Sequence, residues 1–235
     1  MKKLIIGFII GVALAVPVML MIGSTEAAPE PTPQVIYVEP TPMPTPAPVI
    51  IYKDRPTDLE QVVANTKDSC VMIYAFYTNR TVNQGSGWAY EGYIVTARHV
   101  IEGAHLVSIS TDDSENDRIG KIVYKDDKLD LAILKADISL PSVKLGDSDE
   151  LIEGEKLVSI TSPEGAKNMI DECLFSGNAA DNHFSVSESA IAPGSSGGAV
   201  FNYNSEVIGM VVTSGYENAG LIPINNIKPI LKNIK

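Results

Sequence analysis

From residue 58 onward, short apolar runs alternate with turn signals at intervals of about 8–12 residues, and no other feature limits the fold so strongly. The runs are "CVMIYAFY", "QGSGWAY", "YIVTARHV", "LVSIST", "IGKIVYKD" and "DLAILKA". After the connection "SLPSVKLGDSDELIEG" come "KLVSIT", "ECLFSGNA", "HFSVSE", "AVFN", "EVIGMVVT" and "GLIPI". Each is too short for a core helix and rich in β-branched or aromatic residues, which fit a pleated, half-buried surface. Two sets of about six, divided near residues 140–150, predict an all-β fold of two stacked six-stranded antiparallel β-barrels. Barrel 1 spans about 60–140 and barrel 2 about 150–225. "DLEQVVANTKD" reads as a brief lead-in helix, and "NNIKPILKNIK" has the helical spacing of a closing C-terminal helix.

The chain before residue 58 is of a different kind. Lys2 and Lys3 precede an uncharged run from Leu4 to Gly23, which as a helix would span about 30 Å, the thickness of a hydrocarbon core. It reads either as an uncleaved anchor or as a signal peptide cut near Ala27, where Thr25 and Ala27 are the small flanking residues. Both readings put the rest of the chain outside the cytoplasm. Residues 28–57 read as a linker: nine of the fifteen prolines fall between Pro29 and Pro56, so this stretch is expected to be extended and unable to form a helix. At about 3.1 Å per residue it reaches roughly 85 Å. Its "VIYV" and "VIIY" could add an edge strand to the domain or to a partner.

Net charge is −11, and residues 1–57 contribute nothing to it, because four basic residues there balance four acidic ones. The excess sits wholly on residues 58–235, an acidic surface that repels phosphate backbones and argues against nucleic acid as a partner. The acidic run "TDDSENDR" lacks the spacing of a calcium loop and reads as a solvated hairpin tip. Cys70 and Cys173 are the only cysteines. An extracytoplasmic setting permits a bridge between them, but two buried free thiols are the commoner state, and neither has the neighbours of a metal site or a reactive thiolate.

One stretch raises a question of chemistry. "SAIAPGSSGGAVF" sets two serines between glycines, which is either a tight turn or the presentation of a nucleophile. A serine hydroxyl attacks only when a histidine takes its proton and a carboxylate orients that histidine. Of three histidines, His99 follows a strongly apolar strand that would hold it at an edge, whereas His105 and His183 lie in turn-like or polar stretches. Asp130 opens the buried strand "DLAILK"; Asp126 and Asp127 sit in the charged run "KDDKLD" and read as solvated.

The order His, Asp, Ser, in "TARHV", "DLAIL" and "GSSGG", resembles the trypsin-like (chymotrypsin-fold) serine peptidases, and most of all their HtrA/Deg branch. "GSGW", "GYIVTARHVIEGA", "LGDSDELIEGEKLVSI" and "SESAIAPGSSGGAVFN" extend the resemblance over roughly residues 60–233. It implies Ser196 as nucleophile, His99 as general base and then acid, Asp130 as orienting carboxylate, and the N–H groups of Gly194 and Ser196 as the oxyanion hole. It also implies a substrate pocket walled by Ala190 and its neighbours, by the strand edge Val212, Thr213 and Ser214, and by Gly220. No acidic residue stands at those positions, so small or medium apolar side chains are the expected preference.

Three departures bear on regulation. Ser195 stands where digestive relatives carry the aspartate that pairs with a freed N-terminus, so no such activation by cleavage is expected. "SITSPEGAKNMIDE" replaces a glycine-asparagine-proline segment usual in the branch, and the PDZ domain that usually follows has no counterpart before Lys235. The expectation is a serine endopeptidase acting on extracytoplasmic polypeptides, with no cofactor, no metal and an open oligomeric state. The rival is a peptidase fold that binds peptides without cutting them.

Overall fold

The computed structural model describes residues 58–112, 117–179, 183–187, 192–213 and 219–234. The N-terminal segment, the proline-rich linker and the tip of the acidic run lie outside them. Among the described residues no helix is long and apolar enough to cross a membrane.

Helix α1 (Leu59–Thr66) opens the described chain, capped by Asp58, whose carboxylate accepts from the Glu60 N–H at 3.0 Å. Seven strands then make the first sheet: β1 (Cys70–Phe76), β2 (Val82–Tyr90), β3 (Tyr93–Ala97), β4 (Leu106–Ser110), β5 (Arg118–Ile119), β6 (Lys121–Asp126) and β7 (Leu131–Lys135). Their order is β5-β4-β1-β2-β3-β7-β6. Its two edge strands are consecutive in sequence and separated only by Gly120, so the sheet must curl until its edges approach one another. "IGKIVYKD" thus holds two strands, and the first unit has seven rather than six.

The second unit adds β8 (Lys144–Leu145), β9 (Lys156–Thr161), β10 (Met169–Asn178), β11 (Phe184–Val186), β12 (Ala199–Phe201), β13 (Glu206–Thr213) and β14 (Ala219–Pro223). Six of these run β12-β9-β10-β11-β14-β13, and β12 pairs again with β13, which closes a six-stranded barrel. β8 joins outside the ring, parallel to β13. The fold is therefore the expected all-β pair of sheets, one closed and one half-open, followed by the closing helix.

"YIVTARHV" is not strand to its end. β3 stops at Ala97 and a one-turn helix, α2 (Arg98–Ile101), carries His99. The last helix, α3 (Ile224–Leu231), buries Ile224, Ile227 and Leu231. These three join a continuous core in which Val71, Trp88 and Ile133 of the first sheet meet Ile160, Phe201 and Met210 of the second. Ile160 and Phe201 are wholly buried, a contribution of about 1.5–3 kcal/mol each from transfer alone. A second, smaller core fills the closed barrel around Leu157, Phe175, Phe184 and Ile208. The shared core brings the end of β3 against the turn before β12.

Candidate active site

Asp130 holds the Arg98–His99 turn by three bonds. Its backbone carbonyl accepts the Arg98 N–H at 2.8 Å, and Oδ1 accepts the His99 N–H at 2.9 Å. Oδ2 lies 2.5 Å from His99 Nδ1. The first two bonds supply acceptors at the start of α2 and turn the chain out of β3. The third orients the ring, with Nδ1 as donor to the carboxylate and Nε2 on the far side of the ring from Asp130. Val100 and Ile101, both buried, anchor the same turn from the core side.

Asp130 itself sits in the left-handed region, with φ 48°, where aspartate is among the few side chains that settle readily. The preceding turn is held by Asp126, whose Oδ1 accepts from the Lys128 and Leu129 N–H groups at 2.9 and 3.0 Å. The Leu129 bond is the chief reason that the Asp126 carboxyl stays below its usual range. Asp126 is thus half-buried and structural, whereas its neighbour Asp127 is exposed. Arg98 adds a cation beside the pair: Nε is 3.3 Å from Asp127 and 3.9 Å from Asp130, and Nη1 is 2.6 Å from Glu102.

The serines occupy the turn between Pro193 and Gly198, and they face different ways. Ser195 is buried, its Oγ accepting from Thr161 Oγ1 at 3.2 Å and from the Ala192 N–H at 3.3 Å. Ser196 lines a cavity of about 400 Å³ together with His99, Gly194, Pro193, Gln84 and Glu164. The turn needs its glycines. Gly194 and Gly197 have φ 99° and 88°, and a Cβ on Gly197 would press on the Ser86 carbonyl and Thr96 Oγ1.

Strand β2 holds this turn from the first sheet. The Ser86 N–H donates to the Ser196 carbonyl, and Ser86 Oγ donates to the Gly194 carbonyl, each at 2.8 Å. Ser86 Oγ also accepts the Ser162 N–H at 2.7 Å. Sequence reasoning singled out neither Ser86 nor Gln84. The available signal was a serine and an amide in a strand, "QGSGW", whose glycines leave room for another backbone.

Of the remaining candidates, Val212 and Thr213 lie on β13 opposite Gly220 and Ala219 of β14. β12 follows β13 only as far as Met210, and Gly197 and Gly198 bond to Val211. Val212–Thr213 therefore runs on past the serine turn. Ala190 and Ser214 lie outside the described residues. His105 is exposed, its N–H bonded to the Phe76 carbonyl; His183 borders Gly220. Cys70 and Cys173 are free and buried, and burial pushes the Cys173 thiol up to about 12. No group of three or more potential metal ligands stands together among the described residues.

Residues 83–210 match the family model of the trypsin-like peptidase domain. A "Probable periplasmic serine endoprotease DegP-like" of Marinomonas sp. (strain MWYL1) is 37% identical over 135 residues, covering 54% of this chain and 29% of that protein. One from Rickettsia prowazekii (strain Madrid E) is 32% identical over 179 residues, 67% of this chain and 34% of its own length. The chain thus spans about a third of the length of these curated relatives. Among solved structures, the HtrA-type protease AlgW with a tripeptide aligns with TM-score 0.67 and 25% identity, over 74% of this chain and 62% of that one. A serine endoprotease from Yersinia pestis shares the fold, with TM-score 0.66 over 76% of this chain and 67% of its own, at 24% identity. With a family model matched over more than half its length, the chain belongs to the trypsin-like peptidases, in their HtrA/DegP-like branch.

Proposed function

We propose that the chain is a serine endopeptidase working through Ser196, His99 and Asp130. The observation that carries the reading is the grip of one carboxylate on both the ring and the backbone of a histidine that shares a cavity with a glycine-flanked serine. Ser196 Oγ attacks the carbonyl carbon of a peptide bond while its proton passes to His99 Nε2. The tetrahedral oxyanion is received by the N–H groups of Gly194 and Ser196, a type of interaction worth about 10²–10³ in rate per donor. When the C–N bond breaks, His99 returns the proton to the leaving amine and an acyl-enzyme forms. Water, deprotonated by His99, then releases the second product and restores the serine. Asp130 keeps the imidazole oriented and steadies its charged form throughout. No step calls for a cofactor.

The substrate would lie extended along Val212–Thr213, backbone to backbone, with Ser214, Ala190 and Gly220 shaping the pocket for its side chain. Residues 58–235 are the peptidase domain in this reading. Residues 1–57 tether it to a membrane or direct its export, which agrees with the periplasmic naming of its relatives, and its substrates are polypeptides of the same compartment.

The test is reaction of the full chain with a fluorophosphonate probe, followed by mapping of the adduct. Label on Ser196 is expected, lost in Ser196→Ala and reduced at least about 10³-fold in rate in His99→Ala. Folded protein that takes no label would overturn the proposal and favour a module that binds peptides without cutting them.

A further inference from the structure

We infer that Gln84 is a positioning residue for the oxyanion turn, acting through the segment Ser162–Gly165; this rests on the peptidase reading above. Gln84 lies on β2, in the first sheet, and lines the cavity that holds His99 and Ser196. Its carboxamide bonds the segment that follows β9. Nε2 donates to the Ser162 carbonyl, at 2.5 Å, and Oε1 accepts the Gly165 N–H at 3.2 Å. One side chain thus spans both ends of a four-residue segment that follows β9 of the other sheet.

That segment bears directly on Gly194. The Glu164 N–H donates to the Pro193 carbonyl at 2.8 Å. No peptide bond in the described chain is cis, so the Pro193 carbonyl and the Gly194 N–H point in opposite directions within one rigid plane. Fixing the carbonyl on the segment's side therefore turns the Gly194 N–H away from it. The next peptide plane is pinned separately, by Ser86 Oγ on the Gly194 carbonyl at 2.8 Å. Both planes flanking Gly194 are held from β2, one by Ser86 directly and one by Gln84 through Glu164.

The intermediary does not hold its shape unaided. Glu164 has φ 50° and ψ 30°, a left-handed conformation that a residue with a Cβ adopts only against a cost. Gly165 follows at φ 83°. The Ala166 N–H closes a turn on the Pro163 carbonyl at 2.8 Å and Ser86 takes the Ser162 N–H, and to these Gln84 adds a partner at each end of the segment. Without it, Ser86 still holds the Ser162 N–H, but the Gly165 end loses its anchor, Glu164 releases the Pro193 carbonyl, and the Pro193–Gly194 plane is free to turn beside a glycine. The Gly194 N–H then no longer faces one fixed point. Because a Cβ at Gly194 would meet both Gln84 Oε1 and the Ser162 carbonyl, the turn and its brace are packed against each other without slack.

A brace on an oxyanion donor changes the transition state more than ground-state binding. In Gln84→Met, which keeps the length of the side chain and removes both bonds, kcat on a peptide amide is expected to fall at least about 10-fold with KM within about twofold. Affinity for a peptidyl boronate, whose tetrahedral adduct places an oxygen at the same donors, should weaken by about the factor lost in kcat/KM. Exhaustive fluorophosphonate titration gives the count of competent sites, so kcat is expressed per folded molecule and a loss of stability cannot mimic the effect. Unchanged kcat and boronate affinity in a variant that still labels at Ser196 would overturn the positioning role alone. A raised KM at unchanged kcat would do the same and assign Gln84 to substrate binding instead. An unsubstituted chain that takes no label would remove the peptidase reading, and the positioning role with it.

Discussion

Asp126 is the residue whose role was least visible in the sequence and is most readily tested. In "KDDKLD" three aspartates stand within five residues, and composition cannot distinguish a solvated carboxylate from one that caps a turn. The difference lies in geometry: Asp126 accepts from the Lys128 and Leu129 N–H groups, and Tyr124 OH adds a third bond at 3.1 Å. These bonds hold its carboxyl below the usual aspartate range in the folded chain, the Leu129 N–H contributing most. A group whose pKa is lower folded than unfolded stabilises the fold above its unfolded value, about 3.9. That stabilisation is lost as pH falls through the folded value. Asp126→Asn should therefore lower the thermal midpoint at pH 7, and the gap between variant and parent should narrow as pH drops below about 4. A gap that stays constant with pH would rule out the carboxylate as its source. Ser196, His99 and Asp130 stood out as candidates for the opposite reason: the chemistry proposed for them requires those residue types in any fold, whereas Asp126, Ser86 and Gln84 act through partners 2 to 110 positions away, such as Lys128, Ser162 and Ser196.

At the level of elements, the strands were legible because burial on a sheet writes a local pattern, and the exceptions occur where a distant group decides. Val100 and Ile101 extend the apolar run of β3, yet Asp130, from the turn between β6 and β7, takes the N–H groups of Arg98 and His99 and starts a helical turn. β8 was hidden inside a connection because two residues pairing with β13 leave no periodicity. The serine turn is the element where sequence and structure agree most closely, and its glycines can be tested against a control. Gly197→Ala meets a positive φ and three close atoms, including the Ala97 nitrogen at 2.8 Å. Gly154→Ala meets a similar φ, 85°, with nothing within 4 Å. The second change should cost only the backbone term, about 1–2 kcal/mol. The first should cost at least about 2 kcal/mol more, a further fall of roughly 4–8 °C in the midpoint of a chain this size. Equal losses in thermal unfolding would show that the turn can shift off β2, against the packing described for it.

Over the whole molecule, the proposed site depends on two sheets staying docked, since His99 and Asp130 come from one and Ser196 from the other. One core runs through both, while the interior of the closed barrel forms a second. The two cysteines divide between these cores: Cys70 belongs to the shared one and Cys173 to the barrel interior. Both are free, and burial raises both thiols, Cys173 to about 12, so neither offers a thiolate at neutral pH. Dithionitrobenzoate should therefore react slowly with the native chain and then with two thiols in denaturant, without any reductant; no reaction there would mean a bridge. The same reagent reports on cooperativity. Ile160, Phe201 and Met210 pack in the shared core and belong to strands of the closed barrel, so undocking the sheets would strip the barrel of part of its burial. Thiol exposure and loss of fluorophosphonate labelling should accordingly occur at the same denaturant concentration, in one transition. If Cys173 stays protected after labelling is lost, the barrel outlives the docking of the sheets. The shared core would then be a contact between two independent folds rather than the structure that assembles the site.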